Sequence, residues 1–403
     1  MSRNKKTITI LAREANLKRR LRRHLSEIGF RKRQDGSLEI SGSGKDVVRF
    51  LHQTQRNNHL RQNRKFISDR LPKLIGHFAS GSEVDPARVT PVLERIRSDT
   101  WQSDLFRLAS LTWVVPVSQG FGRRLRYLIW DEHNEKLMGL IAVGDPVFNL
   151  SVRDALIGWN VHDRSERLVN IMDAYVLGAL PPYNMLLGGK LIASLIRSRD
   201  LYDDFTRVYG ASTGIISGKE KRARLLAVTT SSSLGRSSVY NRLKLDGVEY
   251  FKPIGYTGGW GHFHIADDLF ADLRAYLRAI GHSYADLHRF GEGPNWRLRT
   301  TRAALLALGF KGDMLRHGIQ RQVFICQLAS NALSILAKGQ GRPNLKSLLT
   351  AREVARLAIQ RWIVPRSERR PEYRAWEASE MKALLTEQRA PIRLAQSSKA
   401  DIR

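Results

Sequence analysis

Two consecutive prolines, Pro181 and Pro182, stand just beyond the apolar run Leu168–Leu177. A proline offers no backbone N–H, so a central strand cannot run through this pair. The run must end as a strand, turn, and restart as something else. Leu187, Leu191, Ile192 and Leu195 follow at the spacing of one helix face. Tyr183–Lys190 is therefore a loop and a helix start. Upstream, Arg124–Trp130 and Lys136–Val143 are strand-like, and Asp131-Glu132-His133-Asn134 between them makes a hairpin turn. Ala155–Trp159 is expected to add a short strand, and Arg224–Thr229 a further one. Ser231-Ser232-Ser233 has the composition of a helix start. Residues 248–265, rich in aromatics and glycine, are expected to form two more strands. The predicted class is α+β, with a mixed-sheet core over residues 111–265.

The flanks differ from this core. Residues 1–110 are expected to be mainly helical: Leu17, Leu21, Leu25 and Ile28 share one face, and Gly29 follows as a C-cap. Residues 1–75 hold 20 Lys/Arg against 6 Asp/Glu, about half of the net charge of +29 carried by the whole chain. Charge of this size attracts polyanions. Arg19, Arg20, Arg22, Arg23, Arg31, Lys32 and Arg33 are the expected phosphate contacts, the plain alternative being a solvated face. Ser41-Gly42-Ser43-Gly44 is a loop. Residues 266–403 are expected to form a helical C-terminal region. Leu269, Phe270, Leu273, Tyr276, Leu277 and Ile280 give an amphipathic helix that ends at Gly281, helical periodicity resumes over 312–338 and 344–362, and the tail after Pro365 is basic and loose.

Several chemistries are excluded. One cysteine, Cys326, allows neither an intramolecular disulfide nor a thiolate zinc cluster, and its apolar surroundings point to a buried thiol. No G-x-x-x-x-G-K-S/T loop is present. His262 and His264 alternate on an expected strand, which would put both on one face, but structural histidines explain them better than a metal, and no metal site is expected. Trp260 and Phe263 are better explained as core residues than as base-stacking platforms. With no apolar leader and no run of the roughly 18 apolar residues a membrane span needs, a cytoplasmic location and no membrane partner are expected.

The order of strands, loop, helix and strands resembles the GCN5-related N-acyltransferase fold. In that fold a central strand splays from its neighbour, and acyl-coenzyme A lies in the cleft with its pyrophosphate at a helix N-terminus. The resemblance implies Gly188, Gly189 and Lys190 as the phosphate-binding loop. Met185 stands where the family has Gln or Arg, and Lys190 where it has a small residue. Close helix–sheet packing is the equal alternative for the two glycines. Tyr240, in Ser237–Leu243, matches the family's tyrosine, which acts as a general acid toward the leaving thiolate; a packed aromatic is the alternative.

A second resemblance covers residues 121–261. Gly139–Pro146, Leu156–Trp159, Ala179–Tyr183 and Leu234–Ser238 are similar to the DruA family of the Druantia anti-phage defence systems. It implies a role in phage resistance with partner proteins, a helicase-like one among them. Three functions follow: acyl or related group transfer on nucleic acid or a protein amine, a non-catalytic DNA-binding or assembly module, or a transposase-like DNA-processing factor.

Overall fold

A computed structural model of the chain describes residues 2–34, 37–40, 45–117, 120, 122–213, 220–286, 294–310 and 312–387. The expected loop at Ser41–Gly44 lies outside them. The chain forms two compact units, and neither is one continuous stretch. Unit 1 comprises Met1–Asn58, Gly258–Arg321 and Gln388–Arg403; unit 2 comprises His59–Thr257 and Gln322–Glu387.

Unit 2 is built on one seven-stranded sheet. Its strands are β1 (Pro91–Arg95), β2 (Arg124–Asp131), β3 (Lys136–Gly144), β4 (Ile171–Ala179), β5 (Ala227–Ser231), β6 (Lys252–Tyr256) and β7 (Gln322–Gln327), in the spatial order β6-β7-β5-β4-β3-β2-β1. β1 to β4 form an antiparallel meander, β4 pairs with β5 in parallel, and β7 is antiparallel to both β5 and β6. Leu137, Met138, Leu140, Ile141, Ala142 and Val143 of β3 are all fully buried, as a strand covered on both faces must be. Helix Gly188–Leu195 lies against this strand: a Cβ on Gly139 would sit 2.9 Å from Ile192 and 2.7 Å from the Gly178 carbonyl oxygen. Helices Trp101–Leu111 and Arg199–Tyr209 start at Thr100 and Ser198, whose hydroxyls accept from the Ser103 and Leu201 amides.

Five sequence expectations give way here. Ala155–Trp159 is no strand: Ser151–Ile157 is helical and ends at Gly158, with φ +80°. A short apolar run does not separate a strand from a buried helix. The same ambiguity runs the other way at 312–338, where Gln322–Gln327 is not helix but the interior strand β7. Cys326 lies on that strand, fully buried, as expected. Ser231-Ser232-Ser233 starts no helix: β5 ends at Ser231, and Ser237–Leu243, where the resembled fold has a helix, is a run of turns. Ser237 Oγ accepts from the Val239 and Tyr240 amides, which favours a local turn over the helical ladder. His262 and His264 sit in a turn, not on a strand. The chain after Pro365 is ordered and packed as far as Glu387, with Tyr373, Met381 and Leu385 buried.

Unit 1 holds helix Ser2–Glu27, the hairpin Phe30–Lys32 with Leu38–Ile40, most of helix Lys45–Gln62, and helices Asp267–Ala279 and Pro294–Ala307. Leu17, Leu21, Leu25 and Ile28 are buried, so the leucine stripe is the inner face, and Gly29 takes φ +90° where the helix ends. Leu269, Phe270, Leu273, Tyr276 and Leu277 are buried on their helix, while Ile280 is exposed.

Candidate functional site

The parallel pair at the centre of the unit 2 sheet is short. β4 and β5 are in register only at Ile171↔Ala227, Met172↔Val228 and Asp173↔Thr229. Beyond Asp173, β4 runs six residues further without β5 as a partner. The register between β3 and β4 also slips between Val143↔Ala174 and Ala142↔Val176, which leaves Tyr175 as the extra residue of a bulge. A bulge bends and twists the strand that carries it, and here it sits where β4 leaves β5.

Three groups meet at this fork. Thr229 Oγ1 donates to Asp173 Oδ1 at 2.8 Å, and Thr230 Oγ1 donates to the Ala174 carbonyl at 2.8 Å. Burial pushes the Asp173 carboxyl up to about 6, against the Thr229 hydrogen bond and the charge of Arg153. Tyr240 comes from the turn after β5. Its ring packs on Phe251 and Phe324, with centroids 5.1 and 5.3 Å away, and its hydroxyl meets Thr230. Burial, and to a lesser degree the Asp173 charge, pushes this phenol up to about 12. Asn241 Nδ2 donates to Gln322 Oε1 at 2.8 Å and ties the turn to β7.

The helix after β4 begins at Gly188, and Leu187 turns into it with φ +61°. The Tyr183 hydroxyl donates to Asp131 Oδ2 at 2.9 Å and pins the loop ahead of it to the β2–β3 hairpin. The two glycines have different reasons. A Cβ on Gly188 would lie 2.5 Å from the Tyr183 carbonyl oxygen, so Gly188 is required by packing. A Cβ on Gly189 would meet only Val239 Cγ2, at 3.8 Å, so Gly189 borders the Tyr240 turn with room to spare. Lys190 Nζ lies 5.5 Å from the centre of the Trp362 ring. Burial, then the nearby Arg361 and Arg242, holds its ammonium below the usual lysine range. Three cations thus gather at a helix start, whose first N–H groups lack intrahelical partners. A phosphate fits this donor set. Met185, where the acyltransferases carry Gln or Arg, is exposed and contributes its carbonyl to Arg366.

Gly188, Gly189, Lys190 and Tyr240 therefore lie around one region, with Val239 as the link. Arg242, Arg361 and Trp362 were missed, and Asp173, a candidate carboxylate in the sequence, was not placed at this site. Asp173 carried a signal, a carboxylate inside the apolar run Ile171–Leu177. Arg361 and Trp362 carried none, since some 170 residues separate them from Lys190.

The expected phosphate contacts belong to unit 1. Arg19, Arg22, Arg23 and Arg31 are exposed. Arg22 lies over the Phe310 ring and Arg23 is 3.9 Å from Glu27. Arg20 is engaged by Asp272 and Asp268, and Arg33 by Glu39 at 2.8 Å. Lys32 lies on the hairpin strand. His264 is a packing residue: its Nε2 faces the Met314 carbonyl at 3.0 Å and its ring touches Phe30, Phe263 and His317. Among the described residues no group of His, Cys, Asp and Glu is arranged to hold a metal ion, and no helix is long and apolar enough to cross a membrane.

No solved structure matches the chain. The Druantia protein DruA of Escherichia coli (strain UMEA 4076-1) is 65% identical over 374 residues, 93% of each chain. Residues 42–338 match the Druantia protein DruA family. The chain belongs to that family.

Proposed function

We propose that this chain is a component of a multi-protein anti-phage defence system and works on or near nucleic acid through a group-transfer site at the β4–β5 fork. The carrying observation is the sheet itself. Its strand order, with a single parallel pair that separates after three residue pairs, is the arrangement expected of an acyltransferase-like core. Gly189, Lys190, Arg242 and Arg361 then supply the phosphate end of an acyl-coenzyme A site, and Tyr240 the proton for the leaving thiolate. The net charge of +29 and the exposed arginines of helix Ser2–Glu27 support a nucleic-acid partner. Family membership supports further partner proteins from the same system, a helicase-like one among them.

Calorimetry with coenzyme A tests the site. Binding by the wild type, lost in Gly189→Val at an unchanged melting temperature, is the expected result. Tyr240→Phe should keep binding and slow transfer by about 10²–10⁴-fold. A second reading keeps the chain as a non-catalytic DNA-binding or assembly module. The departure at Met185, exposed with its side chain left out of the cation cluster, favours it. In that case duplex DNA binds and coenzyme A does not.

A further inference from the structure

We infer that the groove between helices Arg64–Leu74 and Trp101–Leu111 of unit 2 binds single-stranded nucleic acid, with an unpaired base stacked on Trp101. The inference rests on the nucleic-acid part of the reading above. It adds a contact on unit 2 to the exposed arginines of unit 1. Three contacts align the two helices antiparallel. Arg107 Nε and Nη2 donate to Asn63 Oδ1 at 3.1 and 2.6 Å, and Arg70 Nε meets Asp104 Oδ2 at 3.0 Å. His77, in the turn after the first helix, stacks on Trp101. Phe66, Arg70, Lys73 and His77 recur at helical spacing and share one face. A cavity of about 490 Å³ opens there, lined by Phe66, Asp69, Arg70 and Lys73.

Aromatic rings stand at both ends of this groove. At one end the Arg107 guanidinium lies 4.0 Å from the centre of the Phe66 ring. At the other the His77 and Trp101 rings are stacked, with centroids 5.0 Å apart and planes at 20°. The Trp130 ring meets these two at 5.6 and 6.3 Å. A lone exposed aromatic needs no explanation. These rings are held in orientation. Trp130 Nε1 donates to Glu94 Oε2 at 2.7 Å, and the other oxygen of Glu94 accepts from Gln102 Nε2 at 3.1 Å. Burial, then Lys136, keeps the His77 ring below the usual histidine range, so at neutral pH it stacks uncharged. Leu105 and Leu108, on the same helix face as Trp101, are fully buried, while Trp101 stands beyond the core and is 47% exposed. A ring fixed beforehand and open to water is a surface on which any base can stack. Bases inside a duplex are already stacked and paired and do not reach it.

The dimensions suit a strand. From Phe66 to His77 the helix and its turn rise roughly 16 Å. A strand with stacked bases advances roughly 3.4 Å per nucleotide, so about five nucleotides span the groove. The helix carries Arg64, Lys65, Arg70 and Lys73 against the single acid Asp69. Arg70 and Lys73 line the cavity between the two aromatic ends, where the phosphates run.

The experiment uses the full chain with fluorescein-labelled oligo-dT and oligo-U of about 12 nucleotides, and a duplex of the same length. Anisotropy gives the dissociation constants, and melting temperatures are taken alongside. The wild type should bind at least one of the single strands, the two probes telling DNA from RNA. Trp101→Ala should weaken that binding by about 5–100-fold and leave duplex affinity unchanged, while Trp101→Phe keeps most of it. Lys73→Gln should keep the melting temperature and lower the log–log salt slope for the single strand by about 0.7. If Trp101→Ala lowers the melting temperature, Lys73→Gln alone decides. Duplex binding without single-strand binding, wild-type single-strand affinity in a stably folded Trp101→Ala, or an unchanged slope in Lys73→Gln overturns the groove and leaves the nucleic-acid reading standing. Binding to neither single strand nor duplex overturns that reading, and this inference with it.

Discussion

Both units bury titratable side chains, and burial moves the histidines of one and a carboxyl of the other in opposite directions. Unit 1 encloses His52, His264 and His317, which burial pushes down to about 4, 4 and 3. Their hydrogen bonds suit the neutral ring. His317 Nδ1 accepts from the Ile319 amide, while His264 Nδ1 and His52 Nε2 are buried with no partner among the described residues. A proton added to any of these nitrogens would have no acceptor. Unit 2 instead encloses Asp173, pushed up to about 6 beside a threonine donor. The histidines are tuned to stay silent at neutral pH, whereas the carboxylate is tuned to titrate near it. In both units the first cause is burial, which disfavours the charged form and so lowers a histidine and raises a carboxyl.

Acid should separate the two units most strongly. A histidine with a depressed folded pKa leaves the unfolded chain binding more protons, so its contribution is complete above 6.5 and falls as pH drops toward 4. About 1–3 kcal/mol per histidine is at stake. Hydrogen exchange between pH 7 and pH 4.5 should show residues 2–34, 45–58 and 258–286 losing protection before the β2–β4 sheet. Simultaneous loss in both units would break the comparison.

Next in size is the pair of glycines in unit 2. Gly188→Val forces a Cβ against the Tyr183 carbonyl and should cost about 3 kcal/mol, read as a lowered melting temperature. Gly189→Val should cost less than about 1 kcal/mol. Equal losses would mean that both glycines serve packing alone.

A smaller effect is expected on the surface of unit 1. Replacing Arg19, Arg22 and Arg23 with Gln should reduce the salt dependence of duplex binding, with the log–log slope falling by about 2–3. Arg20→Gln, which frees Asp268 and Asp272, should leave the slope nearly unchanged. An equal contribution from all four would contradict the placement of Arg20.

A last change concerns Asp173. A raised carboxyl pKa costs stability above pH 6 and costs nothing below 3.8. Asp173→Asn should therefore stabilise the protein by about 1–3 kcal/mol at pH 7, with no gain at pH 3.5. Destabilisation at pH 7 would make Asp173 a structural carboxylate.

How much of this was legible follows the range of each interaction. The leucine stripe of helix Ser2–Glu27, the β2–β3 hairpin and the helix start after Pro182 are local patterns, and each reads directly from residue spacing. β7 did not: Val323–Ile325 is apolar throughout, and only its neighbours β5 and β6 make it a strand. Tyr240 was proposed from its order in the chain, yet its turn comes from Ser237 capping two amides rather than from helical periodicity. Lys190 and the two arginines near it, Arg242 and Arg361, come from three separate stretches of unit 2, which no spacing rule connects.

The central claim, that the fork is the working part of this chain, is tested most directly by phage plaque counts in cells carrying the whole gene cluster. Gly189→Val and Tyr240→Phe should each abolish protection at wild-type protein abundance, across several phages. Full protection by both variants would contradict it.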